Sequence, residues 1–264
     1  MSVIPEYETI LYDRKERVIH ITLNRPEKRN AMSEVMLLEL SDALDQADQA
    51  EDACVIVLRG AGDKAFSAGA DLSGMGKQDS FLKTHEARGR FSEVFLKLLR
   101  HSKVTIAAVN GHCLAGAVGL MLACDLAVGR KGFKIGTPEI KRGLFPFMIS
   151  ALILRRIGHR AATELMLLGE TVSTDEAAAL GILNRAVPDA EFEAIVYSWA
   201  NKLAGYSPAV LRLGRRALVD QEGMSLEGAF SYLQGLISIN AQLDDAEEGI
   251  RAFFERRDPI FRGR

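Results

Sequence analysis

Two short runs of glycine and alanine carry the clearest chemical signal in this sequence. Residues 65–75 read AFSAGADLSGM and lead into what reads as the start of a helix, and residues 110–117 have the same character. Glycine permits close backbone approach, and alanine keeps side chains out of the way, so N–H groups stay free to bind a negatively charged oxygen. Such a turn is more often structural than catalytic, but two of them together indicate an oxyanion site.

A single glutamate, Glu139, supplies a candidate acid/base group. It lies in Gly136-Thr137-Pro138-Glu139-Ile140, an otherwise small and apolar context. Burial there is expected to raise the pKa of Glu139 towards a value useful for proton transfer. Taken alone, a glutamate after a proline is more often a surface or capping residue, so its role depends on where the fold places it.

Structural roles explain the other polar residues of these segments better than chemistry does. His112 follows a turn and is interpreted as a structural histidine whose hydrogen bonds are satisfied. Asp71 is expected to cap its helix, and Asp125, which ends an apolar segment, is expected to serve folding.

The composition is that of an ordinary soluble globular protein. The chain has 264 residues, of which 48% are hydrophobic and 26% charged, and its net charge is -2. This charge balance gives no general field for nucleic acid or an anionic membrane. The N-terminal segment lacks the pattern of a signal or transit peptide, so the cytoplasm is the expected location. The cysteines, Cys54, Cys113 and Cys124, lie in apolar stretches without metal-ligand spacing and are expected to be buried small hydrophobic residues.

The first two thirds of the chain predict an α/β fold. A hairpin is expected over 9–12 and 18–24, and a helix begins after Ser33, a suitable N-cap. Short apolar runs at 54–58, 105–109 and 126–128 predict buried strands. Strand, glycine-rich turn and helix recur, which is typical of crossover connections.

The chain becomes helical from about residue 146. Helices are predicted over 146–157, 160–168, from Ser173, and over 190–204, 208–220, 226–241 and 247–256. Residues 205–208 are the best boundary, which divides the chain into a core of residues 1–204 and a helical region of residues 205–264. Apolar residues on several faces of this region favour self-association.

Several motifs together resemble the enoyl-CoA hydratase/isomerase (crotonase) superfamily. They are Leu23-Asn24-Arg25-Pro26, Asn30-Ala31-Met32, residues 64–72, Ala108-Val109-Asn110-Gly111, Ala123-Cys124-Asp125 and Pro138-Glu139, in the family's order. The resemblance implies a spiral of ββα units with a C-terminal helical trimerisation region. It also implies homotrimers or homohexamers, and an acyl-CoA thioester substrate without a metal or redox cofactor.

The same resemblance assigns roles to individual residues. The N–H groups of Ala70 and Gly116 would bind the thioester carbonyl oxygen. The backbone of Ala68, Ala70 and Leu72 would lie along the adenine and pantetheine of CoA. Arg29 and Lys64 would contact its phosphates. Ser73 stands where the family often has a basic residue, and Arg256 or Arg257 of a neighbouring subunit could replace that contact.

The reaction type stays open because the sequence departs from the two-glutamate hydratase pattern. Glu139 matches one of the two carboxylates, whereas Gly119 occupies the position of the other. One carboxylate suffices to move a proton between carbon atoms, as in a 3-enoyl-CoA to 2-enoyl-CoA isomerase. Overall likeness favours a hydratase, including those acting on branched glutaconyl-type CoA esters. A member that binds acyl-CoA without catalysis is the third reading.

Overall fold

The computed structural model describes residues 6–74 and 80–264, which form two sheets surrounded by helices. The strands are β1 (Ile10–Lys15), β2 (Val18–Leu23), β3 (Val55–Gly60), β4 (Ala65–Ser67), β5 (Val104–Val109), β6 (His112–Leu114), β7 (Leu126–Arg130), β8 (Lys134–Gly136), β9 (Thr171–Ser173) and β10 (Arg185–Val187). The α-helices are α1 (Glu34–Gln49), α2 (Phe81–Arg100), α3 (Gly116–Leu122), α4 (Phe147–Arg156), α5 (His159–Leu168), α6 (Thr174–Ala179), α7 (Asp189–Ala204), α8 (Pro208–Asp220), α9 (Leu226–Asn240) and α10 (Asp244–Glu255). Within the described ranges, no helix combines the length and apolar character needed to cross a membrane.

The chain alternates between the two sheets. The first sheet has the order β1-β2-β3-β5-β7-β10, in which β1 and β2 pair antiparallel and the other neighbours are parallel. The second sheet has the order β4-β6-β8-β9, with β9 antiparallel to β8. Each pair β3/β4, β5/β6 and β7/β8 gives one strand to each sheet, and α2 and α3 follow the first two pairs. This arrangement is the predicted spiral of ββα units.

Strand β5 shows why the first sheet needs a continuous apolar sequence. All six of its residues are buried. Ala107 and Val109 belong to the larger core, whereas Ile106 and Ala108 pack with residues of α7 in a second core. Because successive side chains of a strand point to opposite faces, both faces must be apolar.

Most long elements agree with the sequence prediction. The hairpin forms, α1 begins after Ser33, whose hydroxyl accepts the Met36 N–H at 3.2 Å, and α8 spans the predicted residues. The capping box at Ser173 and Glu176 is also present. The three cysteines are free and buried, and burial raises the pKa of Cys113 and Cys124.

The prediction is wrong in two regions. No helix was predicted at residues 81–100, where α2 forms; residues 75–79, shortly before it, lie outside the described part. Buried residues, namely Val94, Phe95 and Leu98, occur only in the second half of α2, so its first half gives no signal of a core-facing helix. In the region read as helical after residue 146, β9 and β10 are strands, each of three residues and too short to show alternation.

A buried arginine ties α8 to the sheets. The Arg215 guanidinium donates to Asp125 at 2.6 Å and to the backbone carbonyls of His101 and Leu98. Asp125 also accepts the N–H and hydroxyl of Thr105, at 2.7 and 2.8 Å. The structural role predicted for Asp125 is therefore confirmed, and its distant partner is Arg215.

We predict that Arg215→Met lowers the free energy of unfolding by about 3 kcal/mol, because it leaves Asp125 and two carbonyls without their donor. Arg216→Met is the matched control. Arg216 is largely exposed and pairs with Asp220 one turn along α8, so its loss should cost less than about 0.5 kcal/mol. Urea unfolding measures both, and equal effects would contradict the anchoring role.

Candidate active site

Three parallel strands of the second sheet end at one edge, and each is followed by a candidate catalytic residue. Strand β6 lies between β4 and β8, and all three run in the same direction. Ala70 follows β4, Gly116 follows β6 and Glu139 follows β8, each two or three residues beyond its strand. The topology therefore brings the three residues to the same edge.

The first turn leaves the N–H of Ala70 free. The N–H of Met32 donates to Gly69 at 2.8 Å, and the N–H of Asp71 donates to Met32 at 2.9 Å, which makes a parallel bridge between Met32 and Ala70. In such a bridge the N–H of the paired residue itself points away from its partner. No described residue accepts a hydrogen bond from the Ala70 N–H.

The second turn leaves the N–H of Gly116 free. Ala115 donates its own N–H to Gly136 at 2.9 Å and has φ 54° and ψ -132°, an unfavourable conformation for a residue with a side chain. The chain then enters α3 with Gly116 as its first residue, where an N–H has no acceptor within the helix. Among the described residues no other acceptor faces it.

Gly69 allows the two turns to meet. A methyl group on Gly69 would lie 2.7 Å from the Ala115 methyl and 3.0 Å from the Gly116 nitrogen, closer than packed atoms allow. A methyl group on Gly116 would lie 3.7 Å from the Ala70 nitrogen. The two free N–H groups are therefore neighbours.

The third turn holds Glu139. A short 3-10 helix, Pro138–Arg142, follows β8, and the buried Thr137 hydroxyl before it donates to the Leu165 carbonyl at 3.1 Å. Glu139 is half-buried, and its Oε2 is buried without a hydrogen-bond partner in the described residues. Burial raises the pKa of Glu139, and this outweighs the lowering by a hydrogen bond from its own backbone and by the charge of Arg142. The carboxyl group is therefore suited to exchanging a proton.

The helix predicted directly after Ala70 is wrong. The chain forms a single 3-10 turn, Leu72–Gly74, and α2 begins only at Phe81. Met75, the last residue of the motif, lies outside the described ranges.

Asp71 is a structural carboxylate, but it does not cap an α-helix as predicted. It accepts the N–H of Ser73 at 3.0 Å and pairs with Arg25 at 2.9 Å. Ser73 first, and then Arg25, lower the pKa of Asp71 to about 2. His112 is structural too: its Nδ1 accepts the Lys134 N–H at 3.1 Å.

Arg29 and Lys64 line the same pocket, of about 180 Å³. Both side chains are exposed. Arg29 has a left-handed backbone, with φ 51°, and its carbonyl accepts the Ala68 N–H at 3.0 Å. This bond links the pocket to the first turn and occupies the N–H of Ala68, while Leu72 lies exposed beyond Ala70. Of the two arginines suggested as substitutes for a phosphate contact, Arg257 is engaged with Glu248 in its own chain.

The position of the missing second carboxylate is closed by packing. A methyl group on Gly119 would lie 2.4 Å from Ile149 Cγ2 and 2.7 Å from Phe95 Cζ. The apolar side chains of α2 and α4 therefore fill the space that a longer residue would need.

Sequence reasoning missed two residues beside the Gly116 turn. A methyl on Gly116 would lie 3.3 Å from Phe91 and 3.6 Å from Met32. Phe91 belongs to the unpredicted α2, and Met32 carries no chemical signal of its own.

The sequence and the fold were compared with known proteins. The family model described as enoyl-CoA hydratase/isomerase matches residues 13–264. The chain is 37% identical to a putative enoyl-CoA hydratase of Thermus thermophilus over 94% of this chain and 98% of that protein. It is 30% identical to the 2,3-dehydroadipyl-CoA hydratase of Escherichia coli, over 97% and 99% of the two chains.

The fold is also that of solved members. An enoyl-CoA hydratase structure from Mycobacterium smegmatis matches with a TM-score of 0.93 and 32% identity, covering 96% of this chain and 99% of that one. A structure of the human enoyl-CoA hydratase domain-containing protein 3 also gives 0.93, at 29% identity over 96% and 100%. On this evidence, the chain belongs to the enoyl-CoA hydratase/isomerase family of enzymes and has the crotonase fold.

Proposed function

We propose that this enzyme is an enoyl-CoA hydratase, a lyase that adds water to the double bond of a 2-enoyl-CoA thioester. The proposal is supported by one arrangement: Ala70, Gly116 and Glu139 each follow one of three adjacent parallel strands. The N–H groups of Ala70 and Gly116 have no acceptor among the described residues, and Glu139 Oε2 is buried without a hydrogen-bond partner there. The family names of the relatives support the substrate class.

The two N–H groups stabilise the negative charge that develops on the thioester oxygen. Water adds to the β-carbon only if the electrons of the double bond can move onto that oxygen as an enolate. One well-aimed donor in such a site contributes roughly 2.7–4 kcal/mol. The gain in rate depends on the donors binding the enolate better than the carbonyl.

Glu139 performs both proton transfers. Its carboxylate takes a proton from the water that attacks the β-carbon and returns a proton to the α-carbon. The first transfer needs the ionised carboxylate, and the second needs the protonated acid. A raised pKa brings these two protonation states closer in free energy near neutral pH.

The pocket of Arg29 and Lys64 binds the phosphates of CoA in this proposal. The Ala68–Arg29 bond joins that pocket to the first turn, so the thioester can reach Ala70 along the backbone of Ala68 and Leu72. CoA acts as part of the substrate, and the reaction needs no further cofactor.

Isomerisation of a 3-enoyl-CoA is the second candidate, and the packing around Gly119 favours it. With Phe95 and Ile149 filling that space, Glu139 has no carboxylate partner there to share the two proton transfers. A single base that removes a proton at one carbon and returns it at another needs no water.

We also propose that residues 205–264 form the oligomerisation region of a homotrimer or homohexamer. Helices α9 and α10 and the following tail expose large apolar side chains, namely Phe230, Ile237, Ile250, Phe253, Phe254 and Ile260. Exposed apolar groups in this number are typical of a subunit interface.

We predict that Glu139→Gln lowers turnover of 2-enoyl-CoA by about 10²–10⁴-fold while thioester binding persists. The loss of thioester absorbance and the uptake of labelled solvent oxygen measure hydration, and a 3-enoyl-CoA tests isomerisation. Glu170→Gln is the matched control, because Glu170 lies near the same turn but is exposed and paired with Lys141. It should keep activity within about twofold of native.

Three results would separate the alternatives. Turnover of the 3-enoyl-CoA alone would make the enzyme an isomerase. Binding of both thioesters without turnover would indicate a member that has lost catalysis. Full activity of Glu139→Gln would refute the role of this residue.

We predict that Glu139→Gln stabilises the fold at pH 8 and not at pH 4. Burial raises the pKa of Glu139 in the folded state. Between the pKa of the unfolded chain and this raised pKa, the folded protein therefore holds a proton that the unfolded chain has lost. The stability of the unsubstituted protein falls as the pH rises through this range. Thermal unfolding of both proteins across this range measures the difference. A native protein that gains stability relative to the variant as pH rises would contradict this environment.

We predict that Gly119→Ala costs about 1–3 kcal/mol of stability, because the added methyl overlaps Ile149 and Phe95. The double variant with Ile149→Ala removes the closest contact and should recover part of the loss when compared with Ile149→Ala alone. Strict additivity of the two substitutions would show that Ile149 does not limit the space beside Gly119.

A further inference from the structure

A cavity of about 420 Å³ lies away from the candidate active site, where the first sheet meets the C-terminal segment. Its walls include Arg17, Cys54 and Lys103 from the core, Arg212 from α8, and the C-terminal tail around Arg262. It shares none of the residues assigned to thioester binding or proton transfer.

The floor of this cavity is set by strand register. Arg17, Cys54 and Lys103 directly precede β2, β3 and β5, which are adjacent and parallel. The first residues of the three strands are paired with each other. The three preceding residues must therefore lie side by side.

Lys103 lies on that floor with most of its side chain buried. Only 7% of the residue is exposed, and no described residue forms a salt bridge or hydrogen bond with its ammonium group. Burial lowers the pKa of Lys103, and Asp48 opposes this. Because the surrounding protein shields this ammonium group from part of the solvent, an anion at this point would interact with it more strongly than at an open surface.

The other charges around the cavity leave a positive balance. Arg212 and Arg262 form no recorded ion pair within the described residues, and Arg17 donates to the Ala204 carbonyl at 2.6 Å. Asp52 pairs with Arg14, while Glu51 is exposed at the rim.

The tail that closes the cavity is held firmly. Asp245, which is buried, accepts the N–H groups of Arg262 and Gly263, each at 2.7 Å, and the Ser207 hydroxyl at 2.6 Å. The C-terminal tail therefore forms a fixed third wall of the cavity.

We propose that this cavity binds a small metabolite through an oxyanion group, a phosphate or a carboxylate, which contacts Lys103 and Arg212. The ligand bridges the core and α8, so its binding strengthens the docking of the C-terminal segment. The site is independent of the reaction proposed above.

Calorimetric titration of the full-length protein with pyrophosphate, and separately with citrate, tests this site. We expect saturable binding of at least one anion, with at least tenfold weaker affinity in Lys103→Met and in Arg212→Gln. Lys202→Met is the matched control, because this lysine is exposed on α7 and lies outside the cavity. All proteins carry Arg29→Gln and Lys64→Gln as a background, so that neither cation of the candidate CoA phosphate pocket contributes.

Tighter binding of pyrophosphate would indicate a phosphate ligand, and tighter binding of citrate would indicate a carboxylate ligand. Either result supports the proposal. Absence of saturable anion binding would overturn the proposal. Equal affinity of the background protein and of its Lys103→Met and Arg212→Gln variants would overturn it too. If Lys103→Met does not fold, Arg212→Gln decides alone, since its side chain is exposed and its loss does not disturb the core.

Discussion

The close approach of two backbone turns at Gly69 is the constraint on which the candidate active site depends. Parallel pairing of β4, β6 and β8 fixes where the three turns emerge, but the free N–H groups become neighbours only because position 69 has no side chain. Ala115 adopts a strained conformation on the other side of that contact. The surrounding sheet must hold this strain in place, which is a recurrent property of functional turns.

The sequence predicted the parts of the fold whose signals are local. Helix α8 begins at a proline and α6 at a capping box, and the apolar run of β5 requires cover on both faces. The strands of the second sheet are three residues long and carry no readable alternation. Helix α2 buries apolar residues only in its second half, so its first half gives no signal of a core-facing helix.

The candidate site was predictable for the same reason. Ala70, Gly116 and Glu139 are marked by small residues, a proline and the family motifs around them, all adjacent in sequence. The packing beside Gly119 was not predictable, because Phe95 and Ile149 reach this space from two other helices that are distant in sequence. The partners of buried charges are likewise distant: Arg215 lies 90 residues from Asp125.

The most direct test of the oxyanion site is the infrared spectrum of a bound thioester labelled with carbon-13 at its carbonyl. Measured on the Glu139→Gln variant, so that the ligand is not consumed, the carbonyl band is predicted to move to lower wavenumber than in water, because two N–H groups polarise the bond. A band at the solution position would show that Ala70 and Gly116 do not bind this oxygen, and the account of catalysis would fail.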